Sequence, residues 1–239
     1  RVIILNCNVT TTGGDTLSLW NTDGGMFYHN NCFFEGYVDY VAPRGYCYIT
    51  DSEFFGHNDH ASIWHDGTGG EDHKLVIRRS VFDGVQGFAL GRHHKDAAFY
   101  LLDCFFSDNM QTSQGINWTG SDALTWGNRY YYNNCHRSLV DFPWMYDNLE
   151  TATGTPSAEE IDAFWTFNGL WDPEAQLDDL LPFAFLPSPR NGDGCLGLNP
   201  ILSWSKSFCA LSYDVFFGLE AESLQFVENI DVDSFAPSE

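Results

Sequence analysis

Basic residues are scarce in this sequence. Eleven lysines and arginines stand against 33 aspartates and glutamates, a formal net charge of −22 over 239 residues. Duplex nucleic acid and anionic membrane are not expected as partners for such a surface, because both would be repelled at long range. The deficit is uneven. Residues 1–137 carry 15 acids and 9 bases, a net of −6, whereas residues 138–239 carry 18 acids and 2 bases, a net of −16. Long apolar runs are missing too, so no membrane-spanning helix is expected. The seven cysteines include no Cys-x-x-Cys pair, which excludes a zinc ribbon, and their odd number leaves at least one thiol unpaired within the chain. Finally, residues 1–140 contain no Asn-Gly dipeptide. That dipeptide is the strongest short signal for a tight β-hairpin, so its absence weighs against an antiparallel sandwich.

What is present is a repeat. Six segments share an apolar run, a polar residue, a small Cys or Ser and then further apolar residues: VIILNCNV, MFYHNNCFF, YCYITDSEFF, KLVIRRSVF, FYLLDCFF and YYYNNCHR. The small residues are Cys7, Cys32, Ser52, Ser80, Cys104 and Cys135, spaced 20 to 31 residues apart. A period of that length predicts a parallel β-helix, in which each coil buries its inner face only by stacking on its neighbours. Small residues recurring at one position predict an internal ladder at a corner of the coil.

The pattern ends near residue 149. TPSAEEIDAFWTF has the composition of a helix over about 156–166, with Thr155 as N-cap and Pro156 at the first helical position. WDPEAQLDDLLPFAF, residues 171–185, is a second helical candidate. LPSPRNGDG reads as a linker, and PILSWS and LSYDVFFG read as two strands of a separate β unit. The expected organisation is a β-helix over 1–149, a helical connector over 150–185 and a small β module over 186–239. The module resembles the opening strands of a fibronectin type III domain. The chain opens on RVIILNC, already in strand pattern, so a segment ahead of Arg1 is expected. An exposed coil edge there would be covered by that segment, by a second chain or by self-association.

Two carboxylates take nearly matching places in successive coils: Asp15 in GGDTLSLW and Asp39 in EGYVDYV. Adjacent parallel strands are about 4.8 Å apart, so both can share one surface. Such a pair can supply an acid and a nucleophile, or can bind calcium. Arg92, in FALGRHHK, ends a strand about two coils further on and is long enough to pair with Asp39. A second cluster, His57, Asp59, His60 and His65 in HNDHASIWH, is read as polar residues beside the groove rather than as a metal site. No metal or cofactor is called for.

The segments GGDTL, FEGYVDYV and GFALGRHHK, in that order, resemble the signature blocks of pectin methylesterases. Those blocks read Gln-Asp-Thr-Leu-Tyr, Gly-Thr-Val-Asp-Phe-Ile-Phe-Gly and Leu-Gly-Arg-Pro-Trp. FYHNNCFFEG, YYYNNCHRSLVDFPWMYDNL and WTFNGLWDPE strengthen the resemblance, which covers roughly residues 1–175. It implies an all-β, right-handed parallel β-helix, secretion, and hydrolysis of methyl esters on polygalacturonate. Asp39 would be the nucleophile, Asp15 the proton donor and later the base, and Arg92 the partner that holds Asp39 ionised.

The departures from those blocks are specific. The glutamine ahead of the first aspartate, an oxyanion donor in the family, is Gly14 here. A second family glutamine belongs to a coil that would lie upstream of Arg1. The Pro-Trp after the arginine is His93-His94. These two histidines are expected to touch substrate, with Trp64, Trp126 or Trp144 replacing the lost stacking surface. Two other readings follow: a β-helix that binds polysaccharide without cleaving it, and a pectate lyase-like enzyme.

Overall fold

One residue ahead of each repeated Cys or Ser, the backbone turns left-handed. Asn6, Asn31, Asp51, Arg79, Asp103 and Asn134 all have φ between 47° and 54°. Five of the six are Asn or Asp, the non-glycine types that enter this region most readily. Arg79 is the exception. It is tied down by Asp51, with Nε donating to Oδ1 at 2.9 Å and Nη2 to Oδ2 at 2.8 Å. The small residue that follows closes the corner by bonding the carbonyl two places back, as Ser52 Oγ does to Thr50 O at 2.8 Å and Cys104 Sγ to Leu102 O at 3.3 Å. The corners also bond to one another along the stack: Cys32 N donates to Ser52 Oγ and Ser52 N to Ser80 Oγ. The expected ladder is present.

The computed structural model describes residues 1–111, 115–178, 185–189, 201–205, 212–218 and 223–237. Unit one, Arg1–Asp172, is a parallel β-helix whose strands form three parallel sheets. The first sheet stacks Val2–Leu5, Met26–Asn30, Tyr46–Thr50, Leu75–Arg78, Ala98–Leu102 and Arg129–Asn133. Past the left-handed corner, the second stacks Asn8–Thr10, Phe33–Gly36, Glu53–Gly56, Val81–Gly84, Phe105–Phe106 and His136–Arg137. The third stacks Leu17–Leu19, Val41–Pro43, Ala61–Trp64, Ala89–His93 and Ile116–Trp118.

The core follows from in-register stacking. Phe34, Phe54, Phe82 and Phe106 form one inward column, with ring centroids 5.2, 4.3 and 5.2 Å apart. All four are essentially inaccessible. Burying each ring contributes about 1.5–3 kcal/mol relative to exposure. Another inward column, on the first sheet, runs Ile4, His29, Ile49, Ile77 and Leu101. Its histidine interrupts an otherwise aliphatic ladder.

Residues 143–149 pack against the last coil, with Met145 in the core and Asn148 bonded to the backbone of Tyr130 and Tyr132, and residues 158–168 bond to side chains of the first sheet. Lys74 Nζ donates to Asn168 Oδ1 at 2.8 Å and lies 4.6 Å from the Trp165 ring centroid. Arg78 Nη1 donates to the carbonyls of Ala158 and Ile161 at 3.2 and 2.8 Å. The single helix expected over 156–166 is two short turns, Ala158–Glu160 and Ala163–Thr166. Ser157, not Thr155, caps the first through a capping box with Glu160. Asp162 caps the second, its side chain accepting from Trp165 N at 2.7 Å. Between them Ile161 has extended backbone and is fully buried. Burying that side chain interrupts the helix.

Unit two is Pro173–Glu239. It contains the helix Pro173–Asp178, the antiparallel strands Phe185–Ser188, Leu202–Ser205 and Ser234–Phe235, and the antiparallel pair Tyr213–Phe217 and Gln225–Ile230. The two strands expected here are both present. The later part of the second helical candidate, residues 179–184, and most of the linker fall outside the described residues, as do Cys195 and Cys209. The other five cysteines are free thiols.

Candidate functional site

Asp15 and Asp39 each stand two residues ahead of a strand of the third sheet. Leu17 pairs with Val41 in parallel register, and the same offset sets Asp15 opposite Asp39, one rung apart. Both hold left-handed backbone, φ 50° and 48°. Asp15 N donates to Val38 O at 3.0 Å, and Asp39 N to Ala61 O at 2.7 Å. A left-handed corner favours a short polar side chain and lies outside the coil's interior. That is why a carboxylate precedes a strand whose Leu17 and Leu19 pack on the core.

Arg92 is opposite Trp64 on the strand Ala89–His93. The coil of Trp64 separates it from that of Asp39, and its side chain spans the gap. Nε donates to both carboxylate oxygens of Asp39, at 3.0 and 3.2 Å, and Nη2 donates to Oδ2 at 2.7 Å. The Asp39 side chain is only 13% exposed. Its hydrogen bonds to the carboxylate push the Arg92 pKa above its ordinary value, against the opposing effect of burial. Asp15 is exposed, and among the described residues its carboxylate has no hydrogen-bond or ion-pair partner, which leaves its oxygens open to a ligand.

A second guanidinium belongs to this surface. Arg44 is buried between two indoles, its Cζ 3.9 Å from the Trp20 ring centroid and 4.3 Å from that of Trp64. Nη1 donates to Ala42 O and to Ser18 Oγ, while Nε is buried without a partner. Burial lowers the Arg44 pKa, and the nearby charges of Asp15, Asp66 and Asp39 oppose that shift.

The histidine expectations separate at the end of the strand Ala89–His93. His93 points inward and is inaccessible. Its ring pairs with the carbonyl of Lys95 and with the Tyr130 hydroxyl, and burial lowers its pKa. Contact between His93 and a substrate does not fit that placement. His94, just past the strand end, is exposed and lies edge-on to Trp64 at 6.0 Å. With Lys95, Thr119, Gly120, Ser121 and Asp122 it frames an open depression of about 340 Å³.

The three tryptophans expected as stacking surfaces are all buried or partly buried. Trp64 is 9% exposed beneath Arg44. Trp144 packs on Phe106, Tyr132 and Phe142. Trp126 is half-buried, with Arg129 Cζ 5.2 Å from its ring centroid. The most exposed indole among the described residues is Trp20, at 77%, ahead of Trp118 at 42%. The signal for it was in the sequence: in LSLW, alternation puts Leu17 and Leu19 inward and Ser18 and Trp20 outward.

The cluster His57, Asp59, His60 and His65 does not converge. His57 pairs with Glu35 at 2.5 Å, His60 with Asp59 at 3.0 Å, and His65 is buried against the carbonyl of Gly45. Among the described residues no group of three such side chains is placed to hold a metal ion.

Gly14 has a steric reason. A Cβ added there would lie 2.6 Å from Val38 Cγ1 and 2.8 Å from Val38 O. The second contact is with backbone, so no side chain fits without moving the neighbouring coil. Comparisons with family models, with curated proteins and with solved structures find no match.

Proposed function

We propose that the β-helix is a carboxylic ester hydrolase that removes methyl esters from pectin or a related uronate polysaccharide outside the cell. One observation carries the reading: Arg92 grips both oxygens of Asp39 while the partner-free carboxylate of Asp15 stands one rung away. A carboxylate paired with and oriented by a fixed guanidinium suits a nucleophile. An open carboxylate beside it suits a general acid and base.

In the proposed reaction an Asp39 oxygen attacks the ester carbonyl. The tetrahedral centre collapses to an acyl-aspartate anhydride, and methoxide leaves with the proton of Asp15. Asp15, now ionised, takes a proton from water as that water attacks the anhydride. The products are methanol, a uronate carboxylate whose proton passes to solvent, and regenerated Asp39 and Asp15. No oxidant or cofactor takes part.

The test is methanol release from methylated pectin, by the natural chain and by Asp39→Asn, which keeps the shape but removes the nucleophile. Release by the natural chain with a fall of at least about 10³-fold in the variant supports the reading. Retained activity in folded Asp39→Asn removes Asp39 from the mechanism. A second reading, a β-helix that binds such a polymer without cleaving it, is favoured by Gly14, because the family's oxyanion donor has no room there. Loss of one such donor typically costs about 10²–10³ in rate.

A further inference from the structure

Trp20 is the large exposed aromatic nearest in sequence to the carboxylate pair, and its position is fixed. Its Nε1 donates to Ser18 Oγ at 2.9 Å, and one face covers the Arg44 guanidinium at 3.9 Å. Arg44 is held in turn by Ser18, Ala42 and Trp64. An indole 77% exposed yet clamped on one face has already lost the rotamer freedom that binding would otherwise cost. Its free face is a flat, apolar surface of the kind that accepts the C–H face of a pyranose.

The charges around it choose among sugars. Asp15, Asp39 and Asp66 all act on Arg44, and Arg92 is committed to Asp39. Three carboxylates against two guanidiniums disfavour a further anion. Trp20 lies five residues beyond Asp15, at most about 16 Å along an extended strand, so a ring stacked on it lies within a few sugar units of the reacting ester.

We propose that Trp20, braced by Arg44, is a stacking subsite for an uncharged pyranose: in a pectin chain, a methyl-esterified uronate rather than a free one. The proposal rests on the polysaccharide reading above. It makes the subsite selective for substrate over product, because each turnover converts a neutral ring into an anion.

The experiment measures affinity of the natural chain, Trp20→Phe and Trp20→Ala for pectins of high and low methylation, alongside methanol release, thermal unfolding and sedimentation. The expected result is tighter binding of highly methylated pectin by the natural chain. Trp20→Ala should weaken that binding on the order of tenfold, with Trp20→Phe between the two. Neither variant should change folding or association state. Methanol release with equal affinity in all three proteins would overturn the subsite and leave the esterase reading standing. Trp20-dependent binding without methanol release would keep the subsite and remove the esterase. Tighter binding of the demethylated polymer, failure of the natural chain to bind either pectin, or a change of association state in Trp20→Ala would each overturn the proposal.

Discussion

Arg92 and Asp39 are 53 residues apart in sequence and joined by three hydrogen bonds across an intervening coil, the shortest 2.7 Å. The pair therefore spans three consecutive rungs of the third sheet. It also explains why the carboxylate, only 13% exposed, is tolerated: a buried charge is stable when a partner and oriented donors accompany it.

That relationship predicts a coupling energy. Arg92→Ala leaves a largely buried carboxylate without its partner and should destabilise the chain by about 2–4 kcal/mol. Arg92→Ala combined with Asp39→Ala should cost less than the sum of the two single changes, with a coupling of about 1–3 kcal/mol. Denaturant unfolding of the four proteins checks this. Additive single changes would mean that the pair contributes nothing beyond its parts.

Gly14→Gln should not restore an oxyanion donor. The new Cβ meets Val38 O at 2.8 Å, so the strand mouth must shift and carry Asp15 with it. We expect destabilisation of about 1–3 kcal/mol and methanol release no higher than that of the natural chain. Increased turnover at unchanged stability would show that the corner accommodates a side chain without strain.

His29→Ile should stabilise the β-helix. His29 is fully buried with neither ring nitrogen hydrogen-bonded, and it lies in register between Ile4 and Ile49. Removing an unpaired buried polar group contributes about 1–3 kcal/mol. Burial pulls the His29 pKa down to about 4. Between pH 6.5 and 4 the unfolded chain binds a proton that the native chain does not, so stability falls as pH falls through that window, by up to about 1.4 kcal/mol per unit. His29→Ile should flatten this limb. It should leave a residue from His65, whose pKa burial lowers to about 3. Unfolding free energies from pH 4 to 7 make the comparison; parallel curves would exclude His29 as a source of acid sensitivity.

The coils and the Asp15–Asp39 pair were legible in the sequence for one reason. In a parallel β-helix, residues with the same local pattern fall at the same place in successive coils, so a repeat read along the chain is also a column in space. Cys7, Cys32, Ser52, Ser80, Cys104 and Cys135 mark one corner because each follows a left-handed residue. Asp15 and Asp39 mark another by the same rule. Arg92 was legible as a partner because the repeat put it about two coils beyond Asp39, within reach of an arginine side chain, and it stands two rungs away.

The sequence by itself determined the repeat, its period, the class of fold and the two carboxylates on neighbouring rungs, since all of these depend on local pattern. The tertiary structure alone decided which neighbours fill the surface around them. Strand side chains alternate faces at every residue, so a shift of one place exchanges inside for outside. Arg92 faces the surface and His93 the core on that parity, and His94 lies exposed just past the strand end. Loops of unequal length between coils hid the meeting of Trp20, Arg44 and Trp64, because three separate strand ends come together only when their coils stack.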